Sequence, residues 1–505
     1  MASVLKARYP GPQPFSDDDL SRKIFFGRDG EREKLTNQIM GNRLVVVFSR
    51  SGLGKTSLLN AGLADRLRDE GFLPLPVRIN DTTKGPLQSI YTGIEEASKR
   101  QRIEHLPGSQ VTLWHYFKTV QFWREDLLLT PVLILDQFEE LFSLQSEDRR
   151  RSFVDELSFL VRGVRPSRTD NMPFEESRGS EDPKTSWSDS VPVVRVVVSI
   201  REDFVGHLED LAESIPQILD NRFRLISFSR QAAAEAIEKP GSVADPAFST
   251  RPFTYNQGAI GQILDFLSRR AALDRVHTGE EVEPFQLQLV CQYVEEFVKK
   301  KQDLQDAQIE VTAHDIGGSA ALSKLFKNFY HLQLQAVPNR RERKAVRTLC
   351  ERNLISPAGR RLSVDESEIE RLLQIKPSTL QTLVERRLLR ADSRANSTYY
   401  ELSHDSLIAP ILASRRLQFR LSGALLRVSA WALLFLGIGF IITGGTFLSW
   451  YLLGGPPLGD YTKGPEWSIF YLFFGPIFFL GGRHALRRAK EFREKVRISE
   501  FQKDL

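Results

Sequence analysis

The fold is decided by residues 44–58, which read Leu44-Val45-Val46-Val47-Phe48-Ser49-Arg50-Ser51-Gly52-Leu53-Gly54-Lys55-Thr56-Ser57-Leu58. The apolar first part predicts a buried β-strand, and the two glycines predict a tight turn into a helix that opens with Lys55 and Thr56. Backbone N–H groups at such a helix start point toward an anion, Lys55 can reach the outer phosphates, and the Thr56 hydroxyl can take one Mg²⁺ position. The stretch therefore predicts a phosphate-binding loop.

One position of this loop departs from the usual pattern, because Ser49 stands where glycine is expected. Serine tolerates a positive φ poorly, so we expect the loop to begin with an altered bend that affects the hydrolysis rate rather than binding. The alternative is a chance strand–turn–helix with one solvated lysine, and the motifs further along the chain weaken it. The loop residues predicted to bind the nucleotide are Ser51, Gly52, Leu53, Gly54, Lys55, Thr56 and Ser57.

A second motif follows at residues 131–142, where a short apolar run ends in Asp136. This pattern predicts a central parallel strand that presents Asp136 at its carboxyl end, where ligands of open α/β sheets bind. We expect Asp136 to hold Mg²⁺, directly or through water. Glu139 or Glu140 can polarise the attacking water, since phosphoryl transfer requires positioning and charge. Glu139 is favoured, and the other carboxylate is then expected to be solvated.

A third strand is predicted at residues 193–200 and is followed by Arg201. Arg201 then lies at the same sheet edge as Asp136, where a cation can sense the γ-phosphate of a nucleotide. A surface salt bridge is an equally good interpretation of this residue. The three strands together predict an α/β fold with a parallel sheet of the P-loop NTPase type.

Composition limits the architecture, since 505 residues exceed what one core supports and about two to four domains are expected. A hydrophobic content of 41% allows sizeable cores. The two cysteines, Cys291 and Cys350, lie in apolar helical patterns without metal-ligand spacing, and the sequence pattern leads us to expect no secretory signal peptide. We therefore expect a reducing, cytosolic setting for the predicted globular domains.

The charge is unevenly distributed along the chain. The 69 basic and 64 acidic residues give a sequence pI of about 9.0, which by itself suggests nucleic-acid binding. From Leu412 onward there are 13 basic and 6 acidic residues, which leaves 56 basic and 58 acidic residues before it. The basicity belongs to the C-terminal end, so nucleic acid is an unlikely partner of the predicted nucleotide domain.

Two apolar runs follow, at residues 428–453 and 467–482. The first has no charged residue and, at ~1.5 Å per residue, exceeds the ~30 Å hydrocarbon core, so it predicts a transmembrane helix. The second is shorter and contains Pro476, and we interpret it as a second span that kinks, thins the bilayer or re-enters. The alternative is a pair of buried helices in a soluble domain.

Basic residues lie on the outer side of both apolar runs, in segments 415–427 and 483–505, whereas the charged residues of the connecting loop are Asp460, Lys463 and Glu466. The positive-inside rule then predicts a hairpin in a bacterial inner membrane with the N-terminal domains and the tail in the cytoplasm. The tail 483–505 is either an interfacial helix on anionic lipid or a solvated stop-transfer tail. The lipid bilayer is therefore an expected partner.

The remaining boundaries come from composition and periodicity. Helical patterns continue past residue 229, including one that ends at Pro240. Two later helices, around residues 345–352 and 378–387, precede a hairpin-like stretch that is interrupted at residues 392–397, which predicts a winged helix. The predicted domains are a P-loop domain at 1–228 with a mobile insertion at 165–191, a helical lid at 229–330 and a winged helix at 331–414.

The order of motifs resembles the bacterial branch of STAND NTPases called novel STAND type one, over about Tyr9 to Ser414. The motifs that carry the resemblance are Tyr9-Pro10-Gly11-Pro12-Gln13-Pro14-Phe15, Phe25-Phe26-Gly27-Arg28-Asp29, the phosphate loop and Leu133-Ile134-Leu135-Asp136-Gln137-Phe138-Glu139-Glu140-Leu141-Phe142. The resemblance implies that Phe26, Gly27 and Arg28 lie beside the base and phosphates. It also implies that Lys55 and Thr56 contact the phosphates and Mg²⁺, that Asp136 contacts the metal, that Arg201 is a sensor arginine, and that Pro284 packs near adenine, with Glu283 in place of the expected small residue.

Residues 401–408 are similar to the winged-helix His-Asp signature of the same family, in which the histidine contacts the β-phosphate of ADP at rest. An imidazole donor on a separate domain is a plausible diphosphate latch, because it makes domain closure depend on the nucleotide. The alternative is that His404 packs on its own domain while Asp405 interacts with a helix dipole.

The resemblance implies a switch that ADP holds closed and that assembles into oligomers when ATP binds. We therefore expect a membrane-anchored signal-transduction ATPase with ATP, ADP and Mg²⁺ as cofactors, homo-oligomeric when active and responsive to an unidentified trigger or partner protein. Bacterial stress or anti-phage defence is the expected setting, with the hairpin as effector or anchor. The alternatives are a nucleotide-binding membrane scaffold with little hydrolysis and a membrane-tethered DNA-binding regulator.

Overall fold

The computed structural model describes residues 5–79, 84–166, 190–273, 281–304, 308–357, 359–394, 397–404, 407–453, 473–481, 483–485 and 487. The chain divides into two compact units. The first unit consists of Met1–Arg347 and Ser363–Ser406, and the second consists of Thr348–Leu362 and Leu407–Leu505.

The strands of the first unit belong to one parallel sheet and to smaller sheets around it. They are β1 (Leu44–Ser49), β2 (Phe72–Val77), β3 (Glu104–Leu106), β4 (Gln121–Arg124), β5 (Leu127–Leu128), β6 (Thr130–Leu135), β7 (Arg195–Arg201), β8 (Arg222–Arg224), β9 (Thr254–Tyr255), β10 (Glu310–Val311), β11 (Val364–Asp365), β12 (Leu389–Arg394) and β13 (Ser397–Leu402).

The helices cover most of the remaining described chain. They are α1 (Asp19–Lys23), α2 (Asp29–Gly41), α3 (Lys55–Ser57), α4 (Ala64–Asp69), α5 (Gly85–Gln101), α6 (Leu113–Thr119), α7 (Glu139–Leu144), α8 (Glu147–Arg162), α9 (Gly206–Glu209), α10 (Arg230–Ser242), α11 (Gln257–Leu273), α12 (Pro284–Leu304), α13 (Ala313–Ile316), α14 (Gly318–Gln335), α15 (Arg340–Thr348), α16 (Glu366–Leu373), α17 (Pro377–Glu385) and α18 (Ile408–Leu452). A π-helical turn follows α3 at Leu58–Gly62, and another follows α15 at Leu349–Asn353. A 3₁₀ turn lies at Glu202–Phe204.

The central sheet has the strand order β2-β6-β7-β1-β8, and all of its neighbouring strands are parallel. Ser49 at the end of β1 lies in register with Arg201 at the end of β7. Asp136 directly follows β6, the other neighbour of β7. The predicted α/β fold with a parallel sheet is confirmed, and its carboxyl edge brings together the ends of the three strands that the sequence motifs mark.

Alternating side chains of the strands enter two cores, one on each face of the sheet. On one face Val46 packs in a cluster that includes Ile90 of α5 and Leu157 of α8. On the other face Val47 belongs to a cluster that includes Leu35 of α2. Each of these side chains is nearly inaccessible to solvent, and burying one stabilises the fold by about 1.5–3 kcal/mol. The sheet edge between the two helical layers is thereby held rigidly.

The helical region after the sheet begins with α10, whose N-cap Ser229 accepts a hydrogen bond from the Ala232 amide. The prediction that this helix ends at Pro240 is wrong, because α10 continues to Ser242. Its last turn is stabilised by the buried Arg8, whose guanidinium donates to the carbonyls of Pro240 and Val243. These carbonyls have no partner within the helix, so the arginine satisfies them and lets the helix run past the proline.

The last part of the first unit contains α16 and α17 and an antiparallel sheet of order β11-β13-β12, in which β11 precedes the two helices and β12 and β13 follow them. The interruption predicted at residues 392–397 is wrong, since pairing continues out to Arg394 and Ser397. Backbone pairing between β12 and β13 therefore makes a regular hairpin of this polar stretch, with β12 at the edge of the sheet.

The second unit is dominated by α18, a single helix of 45 residues that is about 68 Å long at ~1.5 Å per residue. It joins the end of the predicted winged helix, the basic segment 415–427 and the first apolar run. Its apolar side chains are largely exposed in the second half, with Val428 at 67% and Leu452 at 74%. Among the described residues, one helical stretch, Val428–Trp450, is long and apolar enough to cross a membrane.

A helical stretch at residues 473–481 contacts α18. A β-carbon built on Gly437 would lie 2.5 Å from the backbone nitrogen of Phe479, and the rings of Phe440 and Phe478 are 5.7 Å apart. Close backbone approach therefore requires glycine at residue 437. The rest of the predicted second span 467–482, most of the insertion 165–191 and most of the tail 483–505 lie outside the described residues.

Candidate functional site

The carboxyl edge of the central sheet borders a cavity of about 390 Å³. Its wall combines the phosphate loop, the segments after β2, β6 and β7, the start of α12 and the β12–β13 hairpin. The predicted site residues that line it are Arg28, Ser51, Gly52, Leu53, Gly54, Lys55, Thr56, Ser57, Asp136, Glu139, Glu140, Arg201, Pro284 and His404.

Two glycines of the loop after β1 adopt left-handed backbone conformations. Gly52 has φ +85° and Gly54 has φ +92°, a region that favours glycine. Ser49 has no positive φ, because it is still the last paired residue of β1, so the expected altered bend at this position is wrong. The Lys55 ammonium donates to the Ser49 hydroxyl at 3.1 Å and to its carbonyl at 3.3 Å. Serine therefore positions the lysine instead of distorting the loop.

The ammonium of Lys55 lies among groups of both signs. Burial lowers its pKa to about 8, the carboxylates of Glu139 and Asp136 oppose this shift, and Arg390 and Arg201 reinforce it. A bound anion stabilises the charged form of a buried lysine of this kind. The site is therefore electrostatically prepared for phosphate.

The two predicted metal ligands are in direct contact. The Thr56 hydroxyl donates to Oδ2 of Asp136 at 2.9 Å, while Oδ1 accepts from the Ser199 hydroxyl at 2.8 Å. Within the described part of the chain no group of three or more His, Cys, Asp or Glu side chains could hold a metal by itself. Mg²⁺ commonly takes one or two protein oxygens and completes its shell with water and phosphate, so this donor pair fits Mg²⁺ that enters with a nucleotide.

Several residues of the wall were not predicted from the sequence, and Gln137 and Arg78 are two of them that contact predicted site residues. Gln137 has φ +59°, and its amide, oriented by its partners, donates to Oε1 of Glu140 at 2.8 Å and accepts from Arg78 at 3.1 Å. Arg78 also lies 4.0 Å from Oδ2 of Asp136. The sequence signal for Arg78 was its position directly after a strand, which the prolines at residues 74 and 76 obscured; they are tolerated because β2 is an edge strand.

The two candidate bases differ in their surroundings. Both carboxylate oxygens of Glu139 are engaged, Oε1 by Arg390 at 3.0 Å and Oε2 by the Arg201 amide at 3.2 Å. Oε2 of Glu140 is buried without a hydrogen-bond partner among the described residues, and burial raises the pKa of this carboxyl to about 7. Sequence reasoning favoured Glu139, whereas this geometry favours Glu140 as the group able to accept a proton near neutral pH.

Arg201 lies at the sheet edge as expected, but it is only 8% exposed and is not a surface residue. Its guanidinium contacts Asp203 at 2.6 Å and Glu401 of β13 at 3.2 Å. A role in sensing the γ-phosphate therefore remains a prediction that requires one of these carboxylates to be displaced.

His404 lies on the phosphate loop. A β-carbon built on Gly52 would be 2.1 Å from Cδ2 of the imidazole, which is stacked on Phe285 with a 4.6 Å centroid distance. Nδ1 lies 3.9 Å from Oε2 of Glu283. These contacts join His404 to the loop and to α12, so it does not pack on its own segment alone; its sequence neighbour Asp405 lies outside the described residues.

The predicted base-binding residues are only partly in the wall. Arg28 is buried there and donates to the Leu53 carbonyl at 3.3 Å. Phe26 and Gly27 do not line the cavity, and Phe25 does. Gly27, with φ +81°, lies against α10, where an added β-carbon would be 2.3 Å from the Ala232 carbonyl oxygen. The chain turns away from the cavity at this glycine, so the geometry does not support base contacts from Phe26 and Gly27.

The apolar end of the cavity is formed by the N-terminal segment and the start of α12. Pro12 and Phe15 lie there with Pro284 and Phe285. A β-carbon on Gly11 would be 2.1 Å from Oε1 of Gln292, so this glycine permits the segment to lie against α12. An aromatic base can be held between such surfaces. The proline-rich N-terminal motif was recognised in the sequence, but its place in the wall was not predicted.

Comparison with known proteins gives one family match. The model of the family novel STAND NTPase 1 matches residues 9–410. No curated protein matches the chain. Among solved structures, the Aeropyrum pernix ORC2 protein with ADPNP and ADP is similar, at 13% identity and TM-score 0.38 over 82% of this chain and 99% of that one. Cdc6p from Pyrobaculum aerophilum has 13% identity and TM-score 0.34, covering 77% of this chain and 95% of its own. Similarities this low carry no argument about function.

Proposed function

Since the chain belongs to the novel STAND NTPase 1 family, we propose that it is a nucleotide-dependent switch that binds ATP and ADP with Mg²⁺ in the cavity at the sheet edge. The observation that carries this proposal is the position of His404 directly on Gly52 of the phosphate loop. The loop and a residue two positions after the end of β13 thus border the same cavity. A ligand bound to the loop must therefore affect both parts.

The chemistry of the site follows from its side chains. Thr56 and Asp136 would hold Mg²⁺, which supplies neutralising charge to the phosphates. Lys55 neutralises the outer phosphates, and the loop N–H groups bind them. In this proposal Glu140 accepts a proton from water, which is supported by burial that raises the pKa of its carboxyl to about 7.

The switching step depends on His404. We interpret α15–α17 with β11–β13 as a winged helix whose final residues include this imidazole. In the ADP state His404 donates to the β-phosphate and holds the winged helix on the loop. ATP favours a second arrangement in which this contact is lost, and the two nucleotides shift the population between the states by their different affinities.

The same proposal extends to assembly and to the membrane. ATP-bound protomers associate, and the stretch Val428–Trp450 anchors each of them in a bacterial inner membrane with the predicted N-terminal domains in the cytoplasm. The apolar exposed surface of this helix supports membrane insertion, because such a surface is unfavourable in water. A role in stress or anti-phage defence would follow from clustering the membrane segments.

The test uses the full chain in detergent. Binding of fluorescent ADP and the particle mass with and without ATP and Mg²⁺ are measured for the wild type, Lys55→Ala and, as a control, Lys99→Ala, which removes an exposed lysine paired with Glu95. We expect Lys55→Ala to lower affinity at least tenfold and to abolish the ATP-dependent mass change, while Lys99→Ala behaves as the wild type. A wild type that binds neither nucleotide would refute the proposal.

A second function, a membrane scaffold that binds nucleotide and barely hydrolyses it, is favoured by one observation. Both carboxylate oxygens of Glu139 are engaged in the structure. Phosphate release by the wild type, Glu139→Gln and Glu140→Gln separates the two functions. Turnover in the wild type that one of these substitutions abolishes excludes the scaffold, and turnover near the background in all three supports it.

A further inference from the structure

Four charged residues meet at the sheet edge, and we name them the charge square: Glu139, Arg201, Arg390 and Glu401. Arg201 also pairs with Asp203 outside the square. Arg390 donates to Oε1 of Glu139 at 3.0 Å, and Arg201 donates to Oε1 of Glu401 at 3.2 Å. The Arg201 amide also donates to Oε2 of Glu139 at 3.2 Å. Two of these residues belong to the sheet edge and two to the hairpin, so the square joins the two parts through paired charges.

Strand pairing fixes the hairpin half of the square. Arg390 of β12 and Glu401 of β13 lie directly opposite each other in the antiparallel register. Opposite residues of an antiparallel pair project to the same face, so the two side chains reach the sheet edge together. Glu139 and Glu401 are 3% and 7% exposed. Charges this buried are strongly destabilising when one partner is removed, so each pair determines where the hairpin docks.

Arg390 is the more accessible of the two arginines in the charge square. Its side chain is 22% exposed, against 10% for Arg201. It lines the cavity together with Lys55, Arg78 and Arg387. Burial and the neighbouring cations Arg78 and Arg390 lower the pKa of Arg387. Cations held this close repel each other, and an additional anion among them would be stabilised.

We propose that Arg390 is the residue through which this site distinguishes a nucleoside triphosphate from a diphosphate, an inference that rests on the nucleotide switch proposed above. Arg390 reaches the site from the hairpin and is neutralised by Glu139 in the present structure. The terminal phosphate of ATP carries more charge than a carboxylate and accepts a bidentate guanidinium contact. It competes with Glu139 for Arg390, whereas ADP has no group at that position.

The exchange of partners has a structural consequence. When Arg390 turns to the phosphate, the Glu139 carboxylate loses this arginine, and the ion pair between Glu139 and Arg390 no longer joins the sheet edge to the hairpin. Triphosphate binding thereby weakens the docking of β12 and β13, while diphosphate leaves the charge square intact. The nucleotide preference and the hairpin position are thus coupled through one side chain.

The experiment measures competition of ADP and of the non-hydrolysable imido analogue of ATP against fluorescent ADP, with Mg²⁺ and the full chain in detergent. Arg390→Gln should lower the affinity for the ATP analogue about tenfold or more and change the affinity for ADP less than about threefold. Glu139→Gln removes the competitor for Arg390, so it should raise the affinity for the ATP analogue about threefold or more with ADP unchanged. A residue that only stabilises the fold would change both affinities equally.

Two further variants keep the result interpretable. The double variant Arg390→Gln/Glu139→Gln leaves neither member charged, so it avoids a buried unpaired carboxylate and should show the same loss of ATP preference as Arg390→Gln. Arg386→Ala removes an arginine at the end of α17, which donates to Gln333 and lies outside the cavity wall, and this variant should behave as the wild type.

Wild type that binds neither nucleotide refutes the switch itself. Wild type that binds both, with variants whose ratio of affinities is unchanged, refutes only the role of Arg390.

Discussion

The imidazole of His404 occupies the space that a side chain at Gly52 would need. The distance from a β-carbon built on Gly52 would be 2.1 Å to Cδ2 and 2.3 Å to Nε2 of the ring. Because Gly52 also has φ +85°, this position excludes side chains for two independent reasons, its own backbone and its neighbour. Gly52 thus meets two requirements at once: a left-handed backbone conformation, and the absence of a side chain where the imidazole packs.

Gly52→Ala should therefore weaken ADP binding and the stability of the first unit together. The left-handed conformation costs an alanine about 1 kcal/mol, and displacement of the ring adds to this. We expect at least a tenfold loss of ADP affinity and a lower apparent Tm, measured by competition binding and by thermal scanning.

The two reasons can be separated by a double-mutant cycle. His404→Ala removes the clash and leaves the backbone strain, so its combination with Gly52→Ala should be less harmful than the sum of the single effects. Gly206→Ala is a suitable control, since no heavy atom lies within 4 Å of the β-carbon it would add and its φ is not positive. Strict additivity of the two substitutions would show that His404 and Gly52 do not interact in solution.

Lys55→Met should raise the apparent Tm of the nucleotide-free protein while abolishing nucleotide binding. Burial lowers the pKa of Lys55 to about 8, so below that pH the folded protein carries a buried ammonium charge that destabilises it. Above pH 8 the folded lysine loses its proton while the unfolded lysine, at 10.5, keeps it, so the wild type gains stability as pH rises. The Tm advantage of the variant should be present at pH 7 and shrink between pH 8 and about 10.5.

The same pair of proteins tests the ligand. Nucleotide at about 100 times its Kd stabilises the wild type by about 2.7 kcal/mol, and the variant should show no shift. Thermal scans across this pH range, with and without ADP and Mg²⁺, give both quantities. A variant less stable than the wild type at pH 7 would mean that the lysine is not desolvated as the structure indicates.

The pH dependence of phosphate release should identify the base. Burial raises the pKa of Glu140 to about 7, with Glu139 adding to the shift and Arg78 opposing it. A base must be deprotonated, so the rate should fall about tenfold per pH unit below this pKa. Glu140→Gln should reduce turnover by about 10²-fold or more, whereas Glu139→Gln should retain it within a few-fold. Loss of turnover in Glu139→Gln alone would assign the base to Glu139.

Much of the site was predictable from local sequence because its parts follow strands. The loop after β1, Asp136 after β6 and Arg201 at the end of β7 each occupy the carboxyl end of a parallel strand, and parallel strands bring these ends together. The order of motifs then gave the family and the position of His404. Nearly every side chain of β1 and β7 is buried, as in central strands that are covered on both faces, and this left little freedom in how the sheet forms.

The charge square was not predictable in this way. Arg390 and Glu401 lie in a stretch whose local signal was only a hairpin, and nothing nearby in sequence indicates that they reach Glu139 and Arg201. Such contacts depend on how the hairpin docks, which is a long-range property. The same limit applies to α18, where a composition shift at residue 428 predicted a boundary although the backbone continues as one helix.

Val428–Trp450 should anchor the protein in a membrane, and charged substitutions at its exposed positions should release it. Phe435 and Ile442 are 66% and 61% exposed, so lysine there is not excluded by packing. A charge near the bilayer centre costs about 2.5–3.5 kcal/mol on insertion scales, and two of them should prevent insertion. Carbonate extraction of bacterial membranes should leave the wild type in the pellet and release Phe435→Lys/Ile442→Lys. Leu304→Lys, at an 84% exposed leucine of the first unit, should stay with the membrane. Extraction of the wild type by carbonate would instead assign this helix to an interface with another protein surface.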